Sequence, residues 1–292
     1  MADFVHLTNK TEYSLSEGAL PIARIAELCQ SFSMPAVGIS DNNNMFGALE
    51  FSEQIAKVGV QPILGCNIKI KTPKEYLHEN IEDNDLYFYL NIFSKNNEGY
   101  ENLLKCVSNA YTLNKGNACV TVDDLIKLKK GLIILSGGNN SILTHSTGHM
   151  ITKQSQQFIS DFKKEFNDNF YIEIQRFGSV DYRLNEEAVL NLAYDHHIPL
   201  VATNDAYFEG PEHFEAHDAL MCIEKKLFVS QADRTRLSKE HYFKTQNEML
   251  EQFHDLPEAL NNTIEIAQRC VHRPKIKNPI LPVYDDDQNK EK

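Results

Sequence analysis

Apolar and polar positions along this chain switch repeatedly between a period of two and a period near 3.6. Short apolar runs bounded by turn residues predict strands at Phe4–Leu7, Pro35–Ile39, Pro62–Ile70, Leu86–Ser94, Leu132–Leu135, Phe170–Gln175 and Ile198–Ala202. Helical spacing fills the gaps. Pro21 opens a helix to about Phe32 with Ile22, Ile25, Ala26 and Leu28 on one face, and proline suits a first turn because its missing N–H has no partner there anyway. A second helix follows the polar run Ser40–Asn44 and ends near Val58, and others are predicted over Gly99–Tyr111, Lys153–Phe166 and Arg183–His196. The last third is helical, with segments near His213–Ile223, Gln246–Phe253 and Pro257–Cys270.

Strands separated by helices of about 10–15 residues argue for a parallel sheet, closed or open. Six or so of them within about 205 residues favour a (β/α) barrel, an α/β fold. The expected organisation is a barrel domain over 1–223, a helical extension over 224–273, and a Pro-rich then acidic linker over 274–292.

Composition narrows the function classes. The 292 residues suffice for one large domain or two small ones, and 42% apolar with 24% charged residues excludes a disordered chain. No apolar run approaches the roughly 20 residues that span a bilayer, and MADFVHLTNK lacks the layout of a secretory signal. Cys29, Cys66, Cys106, Cys119, Cys222 and Cys270 are scattered without a CxxC pair, which fits free thiols in a reducing, cytoplasmic setting. Lys+Arg 29 against Asp+Glu 41 leaves a formal charge of −12, so the domain alone is expected to bind DNA weakly.

In such barrels the chemistry gathers at the carboxyl ends of the strands. There the chain places Thr8-Asn9-Lys10-Thr11-Glu12-Tyr13-Ser14 with Glu17-Gly18, then Ser40-Asp41-Asn42, Gly65-Cys66-Asn67, Tyr89, Ser136-Gly137-Gly138, Gln175-Arg176-Phe177-Gly178 and Asn204-Asp205-Ala206-Tyr207. This polar ring is short of carboxylates and histidines, the groups that multinuclear sites require. Most of its members have plain structural readings. His6 among Phe4, Val5 and Leu7 reads as a hydrogen-bonded core histidine; Asp41 and Asp205 read as caps on the helices that follow; His217 packs within the helical appendage; Asn42–Asn44 satisfy a turn. No Asp-x-Asp pair suited to nucleotidyl transfer is present, and Asp285-Asp286-Asp287 reads as solvated charge.

The stretches FVHLTNKTEYSLSEGA, VGISDNNNMFGALEF, QPILGCNIKI, YLNIFSKNNEGYENLLKCVS, GLIILSGG, YIEIQRFG, IPLVATNDAYF and EAHDALMCI, in this order across residues 4–223, resemble the PHP (polymerase and histidinol phosphatase) domain found at the amino terminus of bacterial replicative DNA polymerase III alpha subunits. The resemblance implies a distorted (β/α)7-type, TIM-like barrel with a helical C-terminal appendage. It also implies that the palm, thumb and fingers of a polymerase, with Mg2+ in the palm, lie beyond residue 292, and that the chain is part of a DNA-directed DNA polymerase.

The departures from that family are as informative. Metal-binding relatives carry His-x-His where this chain has Thr8 and Lys10, and Asp-His where it has Asp41-Asn42. Their strand-three glutamate aligns with Asn67, histidine positions with Tyr89, Phe177 and Tyr207, and a cysteine or histidine position with Gly138; Glu17 and Asp205 keep a carboxylate. The resemblance therefore implies a dismantled metal site, no cofactor and no catalytic residue in this domain. The expected role is a scaffold that supports the polymerase palm and thumb, meets other replicase subunits and docks an epsilon-type 3′–5′ proofreading exonuclease. A residual metal-dependent phosphoesterase or 3′–5′ exonuclease, and a stand-alone ligand-binding barrel, are the alternatives.

Overall fold

A computed structural model describes residues 3–77, 86–113, 117–138, 141–143, 151–177, 180–231, 233–234, 236–276 and 278. Asp285–Asp287, Gly178 and most of the predicted linker lie outside the described residues. The strands are β1 (Ala36–Asn42), β2 (Gln61–Lys71), β3 (Tyr87–Ser94), β4 (Val120–Thr121), β5 (Leu132–Leu135), β6 (Phe170–Gln175) and β7 (Leu200–Thr203). Around them run α1 (Ile22–Ser31), α2 (Ala48–Lys57), α3 (Asn97–Thr112), α4 (Val122–Lys127), α5 (Lys153–Phe166), α6 (Val180–Asp195), α7 (Phe214–Lys225), α8 (Gln246–Gln252) and α9 (Pro257–Arg269). The predicted α5 and β6 match the observed spans, and the others agree within a few residues except the strand predicted at Phe4–Leu7. The short pair β4 and α4 escaped prediction: only two residues of strand precede a single turn and a half of helix, capped by the Thr121 side chain.

The sheet runs β1-β2-β3-β5-β6-β7, with β4 added beside β2. It curls into most of a barrel, with α8 and α9 behind it, as the alternation of strands and helices implied. One detail differs from an all-parallel sheet: β3 is antiparallel to both β2 and β5. A parallel partner needs a crossover, usually a helix, and among the described residues between β2 and β3 only the 3-10 turn Lys74–Tyr76 appears.

The predicted first strand does not form a ladder. Residues 4–11 instead fill the seam between β1 and the end of β7, sharing their hydrogen bonds between the two sides. Gly38 N–H donates to His6 O (2.7 Å) and Ser40 N–H to Asn9 O (3.0 Å) on one side; Ala206 N–H donates to Thr8 O (3.1 Å) and Lys10 N–H to Ala206 O (2.8 Å) on the other. Because the segment serves two edges in turn, it forms only isolated bridges, Asn9–Ala206 and Thr11–Leu20, among the described residues.

Side chains alternate along a strand, so residues two apart share a face. The lower interior of the barrel is an apolar layer of Val5, Leu7, Ala36, Ile63, Phe93, Ile133, Tyr171 and Val201, and α9 closes it from below with Ile266, Ala267 and Cys270. Thr263 Oγ1 accepts from Val5 N–H (3.0 Å), Asn262 donates to Leu200 O (2.7 Å), and Gln61 donates to Ala267 O (2.7 Å). The outer faces of the strands pack on the helices, where Met249 of α8 and Phe253 just after it join Phe158, Phe162 and Phe170 in the largest apolar cluster. The end of α9 is therefore the floor of the barrel.

Gly38 marks how tight the seam is. A Cβ there would lie 2.2 Å from Leu7 O and 2.8 Å from its Cα, backbone atoms that have nowhere to retreat. Gly38→Ala is expected to lower the unfolding free energy by at least about 2 kcal/mol in urea titrations, whereas Gly59→Ala, where an added Cβ meets nothing within 4 Å but φ is +78°, should cost only about 1 kcal/mol of backbone strain.

Candidate functional site

Carried upward, each interior column turns from apolar to polar. β2 runs Ile63, Gly65, Asn67; β3, of opposite direction, runs Phe93, Asn91, Tyr89; β6 runs Tyr171, Glu173, Gln175; β7 runs Val201, Thr203 and then Asp205; β1 runs Ala36, Gly38, Ser40, Asn42. The strands' own alternation thus builds a polar centre inside the mouth, on top of the apolar floor.

Glu173 sits at the heart of that centre and is 4% exposed. Its Oε1 accepts from Thr203 Oγ1 (2.5 Å) and Gln175 Nε2 (2.9 Å), and its Oε2 from Asn91 Nδ2 (2.9 Å) and Gly137 N–H (3.1 Å). Asn91 Oδ1 in turn accepts from Ser40 Oγ (2.5 Å) and Asn67 Nδ2 (2.9 Å). Burial pushes the Glu173 carboxyl above its ordinary range, and the Thr203 and Asn91 hydrogen bonds and the Lys10 charge pull it back.

The second feature is Lys10, 1% exposed. Its Nζ donates to Ser40 O (2.5 Å), lies 3.5 Å from Ser40 Oγ, and pairs with Asp205 Oδ1 at 3.5 Å. Asp205 adopts a positive φ of 49°, which an aspartate tolerates better than most residues, and its N–H donates to Thr8 Oγ1 (3.1 Å). Asp41 binds the turn beyond Lys10, accepting from Thr11 N–H (2.7 Å), Thr11 Oγ1 (2.7 Å) and Ser14 Oγ (2.6 Å).

Outside this buried layer a cleft of about 480 Å³ opens to solvent. Glu17, Asn42, Asn67, Tyr89 and Tyr207 line its inner part, and Leu15, Phe46, Tyr111 and Lys225 its rim. Asn42 donates to Glu17 Oε2, and its own N–H donates to Ser14 Oγ (3.2 Å). Tyr207 is buried edge-on against His217 and His241, and Phe177 stacks on His241 with ring centres 3.7 Å apart. Burial drives the His241 imidazole down to about 3, leaving it a neutral aromatic packing partner.

The structure thus brings together Thr8, Lys10, Glu17, Asp41, Asn42, Asn67, Tyr89, Asp205 and Tyr207 around one mouth. Gly138 is beside it at φ +53°, where a Cβ would meet the Gln175 amide at 2.3 Å. Phe177 belongs to an aromatic wall with His241. Two structural readings need correction. Asp41 and Asp205 do not cap the following helices: α2 has Gly47 and α7 has His213 at the N-cap position, and both carboxylates turn inward to the Lys10 segment. His217 bonds Glu17 O through Nε2 (2.6 Å) and packs on Tyr207 and Phe208, so it supports the cleft loop and does not pack within an appendage. His6 is a buried core ring, its Nε2 2.7 Å from Lys244 O. Glu173, Asn91 and Thr203 were missed, although a glutamate inside the apolar run Phe-Tyr-Ile-Glu-Ile-Gln was the available signal. Among the described residues no three His, Cys, Asp or Glu side chains gather as a metal-holding group.

A family model for the PHP domain matches residues 6–177. The chain is 38% identical over 287 residues to the DNA polymerase III subunit alpha of Caulobacter vibrioides, covering 96% of this chain and 24% of that protein. It is 34% identical over 284 residues to the subunit of the same name from Rickettsia felis (97% and 23%) and 31% identical over 287 residues to that from Haemophilus influenzae (96% and 24%). The chain therefore spans about a quarter of the length of these relatives. Among solved structures, an amidohydrolase from Chromobacterium violaceum with bound sulfate and no metal aligns at TM-score 0.46 and 11% identity, over 70% of this chain and 87% of that one. A putative metal-dependent phosphoesterase from Bifidobacterium adolescentis aligns at 0.42 and 11%, over 85% and 95%.

The raised Glu173 carboxyl has a definite pH signature. A folded-state value above the ordinary 4.5 means that the folded chain holds this proton more tightly than the unfolded chain. The associated stability is present below pH 4.5 and is lost as pH rises through the folded value. Denaturation of wild type and Glu173→Gln between pH 7 and 4.5 should therefore show the wild type gaining on the variant as pH falls. A difference that is flat or grows with pH contradicts the burial assignment.

Proposed function

The chain belongs to the PHP domain family, and from that premise we propose that it serves as the PHP domain of a DNA polymerase III alpha subunit, a metal-free structural scaffold within a replicase. The observation that carries the scaffold reading is the Lys10 ammonium at the centre of the mouth, 3.5 Å from Asp205 and 2.5 Å from Ser40 O. Hydrolytic metal centres hold their cations with several carboxylates and imidazoles. Here the corresponding positions offer a lysine, a threonine, two amides and two phenols, and Glu17 and Asp205 are already engaged by Asn42 and Lys10. This donor set does not fit a cation cluster.

Similarity to alpha subunits over nearly the whole chain supports the replicase setting. In that setting the domain buttresses the polymerase palm and thumb and docks a 3′–5′ proofreading exonuclease subunit. The formal charge of −12 disfavours a phosphate-tracking surface, which leaves protein contacts as its business. An interface with the exonuclease of standard size, on the order of 1,200–2,000 Å², is expected.

Elemental analysis of the dialysed protein should find well under one zinc or manganese per chain, and p-nitrophenyl phosphate or 3′-ended single strands with added manganese should turn over no faster than buffer. Two or three tightly held ions, or turnover abolished by Asp205→Asn, would reverse the scaffold reading in favour of a phosphoesterase. Size-exclusion and calorimetry with the cognate exonuclease subunit should reveal a complex, with weak binding of duplex DNA at physiological salt. Tight DNA binding with no affinity for the exonuclease would remove the docking role.

A further inference from the structure

The seam that closes this barrel has few backbone bonds and one buried cation. Between β1 and the end of β7, residues 8–10 contribute one backbone hydrogen bond to Ser40 and two to Ala206. Lys10 crosses this gap: its ammonium holds Ser40 O on the β1 side and Asp205 on the β7 side. Asp205 Oδ1 is buried without a conventional hydrogen bond, so the ammonium is the charge that balances it.

We infer that Lys10 is a resident cation: its ammonium supplies, in covalent form, the positive charge that balances Asp205, and that pair closes the β1–β7 seam. This assignment is independent of the replicase role. Its rival is simple packing, in which the lysine stem fills space and the charge is incidental.

A double-mutant cycle on the full chain separates the two. Lys10→Met keeps the stem and deletes the charge; Asp205→Asn deletes the partner's charge. The Lys10→Met chain should melt on the order of 10 °C lower, since it leaves the Asp205 carboxylate unbalanced, and amide exchange should quicken selectively at Ser40 and Ala206. The double variant should recover most of that loss. A Lys10→Met protein as stable as wild type, or losses that simply add in the double variant, would overturn the inference. Should Lys10→Met fail to fold, Asp205→Asn against the double variant decides: a resident cation predicts a double variant no less stable than Asp205→Asn, and a further fall defeats it.

Discussion

Two buried carboxylates, Asp41 and Glu173, and two half-buried ones, Glu17 and Asp205, converge at the mouth of this barrel, and the buried ammonium among them is that of Lys10. Everything else about the upper interior follows from that imbalance. Taking an ion out of water costs several kcal/mol even after relaxation, and removing one partner of a buried pair costs about 3–5 kcal/mol because the survivor is stranded. With Lys10 as the one buried cation there, the remaining charge has to be met by hydrogen-bond donors and by proton uptake. Glu173 draws on Thr203, Gln175, Asn91 and the Gly137 backbone; Asp41 draws on Thr11 and Ser14; Glu17 draws on Asn42. These donors come from segments far apart in the chain, so the polar centre also ties the strands to one another.

The strands permit this because they are divided by height. Ile63, Phe93, Tyr171 and Val201 keep the lower layer dry, and α9 seals it beneath. An apolar floor raises the penalty for an unpaired polar group above it, but also shields the paired ones and strengthens them. The same division leaves room for a wet cleft at the top, where Asn42, Asn67, Tyr89 and Tyr207 meet solvent.

Most of the framework was legible in the sequence. Apolar runs and helical spacing located α5 and β6 to the residue, and the loops after the strands did converge on one mouth. The failures have physical causes. Phe4–Leu7 looks like a strand because it is apolar, yet its hydrogen bonds are divided between two neighbours, which no single-segment pattern can reveal. Direction was equally hidden: nothing in YFYLNIFS states that β3 runs against its neighbours. Asp41 was read through local capping rules, whereas its partners Thr11 and Ser14 lie about 30 residues upstream. Glu173 was legible but overlooked: strand alternation alone aims Tyr171, Glu173 and Gln175 to one face, the one that lines the barrel.

The neutral residues at the mouth are not interchangeable remnants. Asn91 Oδ1 accepts from both Ser40 and Asn67 while its amide donates to Glu173, so it relays between a donor side and an acceptor side. A glutamate at position 67 would face that Oδ1 with an acceptor of its own, and its charge would add to a cluster already short of cations. A histidine at position 138 would run into Gln175, and Gln175 is one of the donors that satisfy Glu173. At position 10, any residue without a positive charge strands Asp205. Each position is thus held by its neighbours' hydrogen bonds, and single changes toward a metal-ligand set break a satisfied network before they complete a new one.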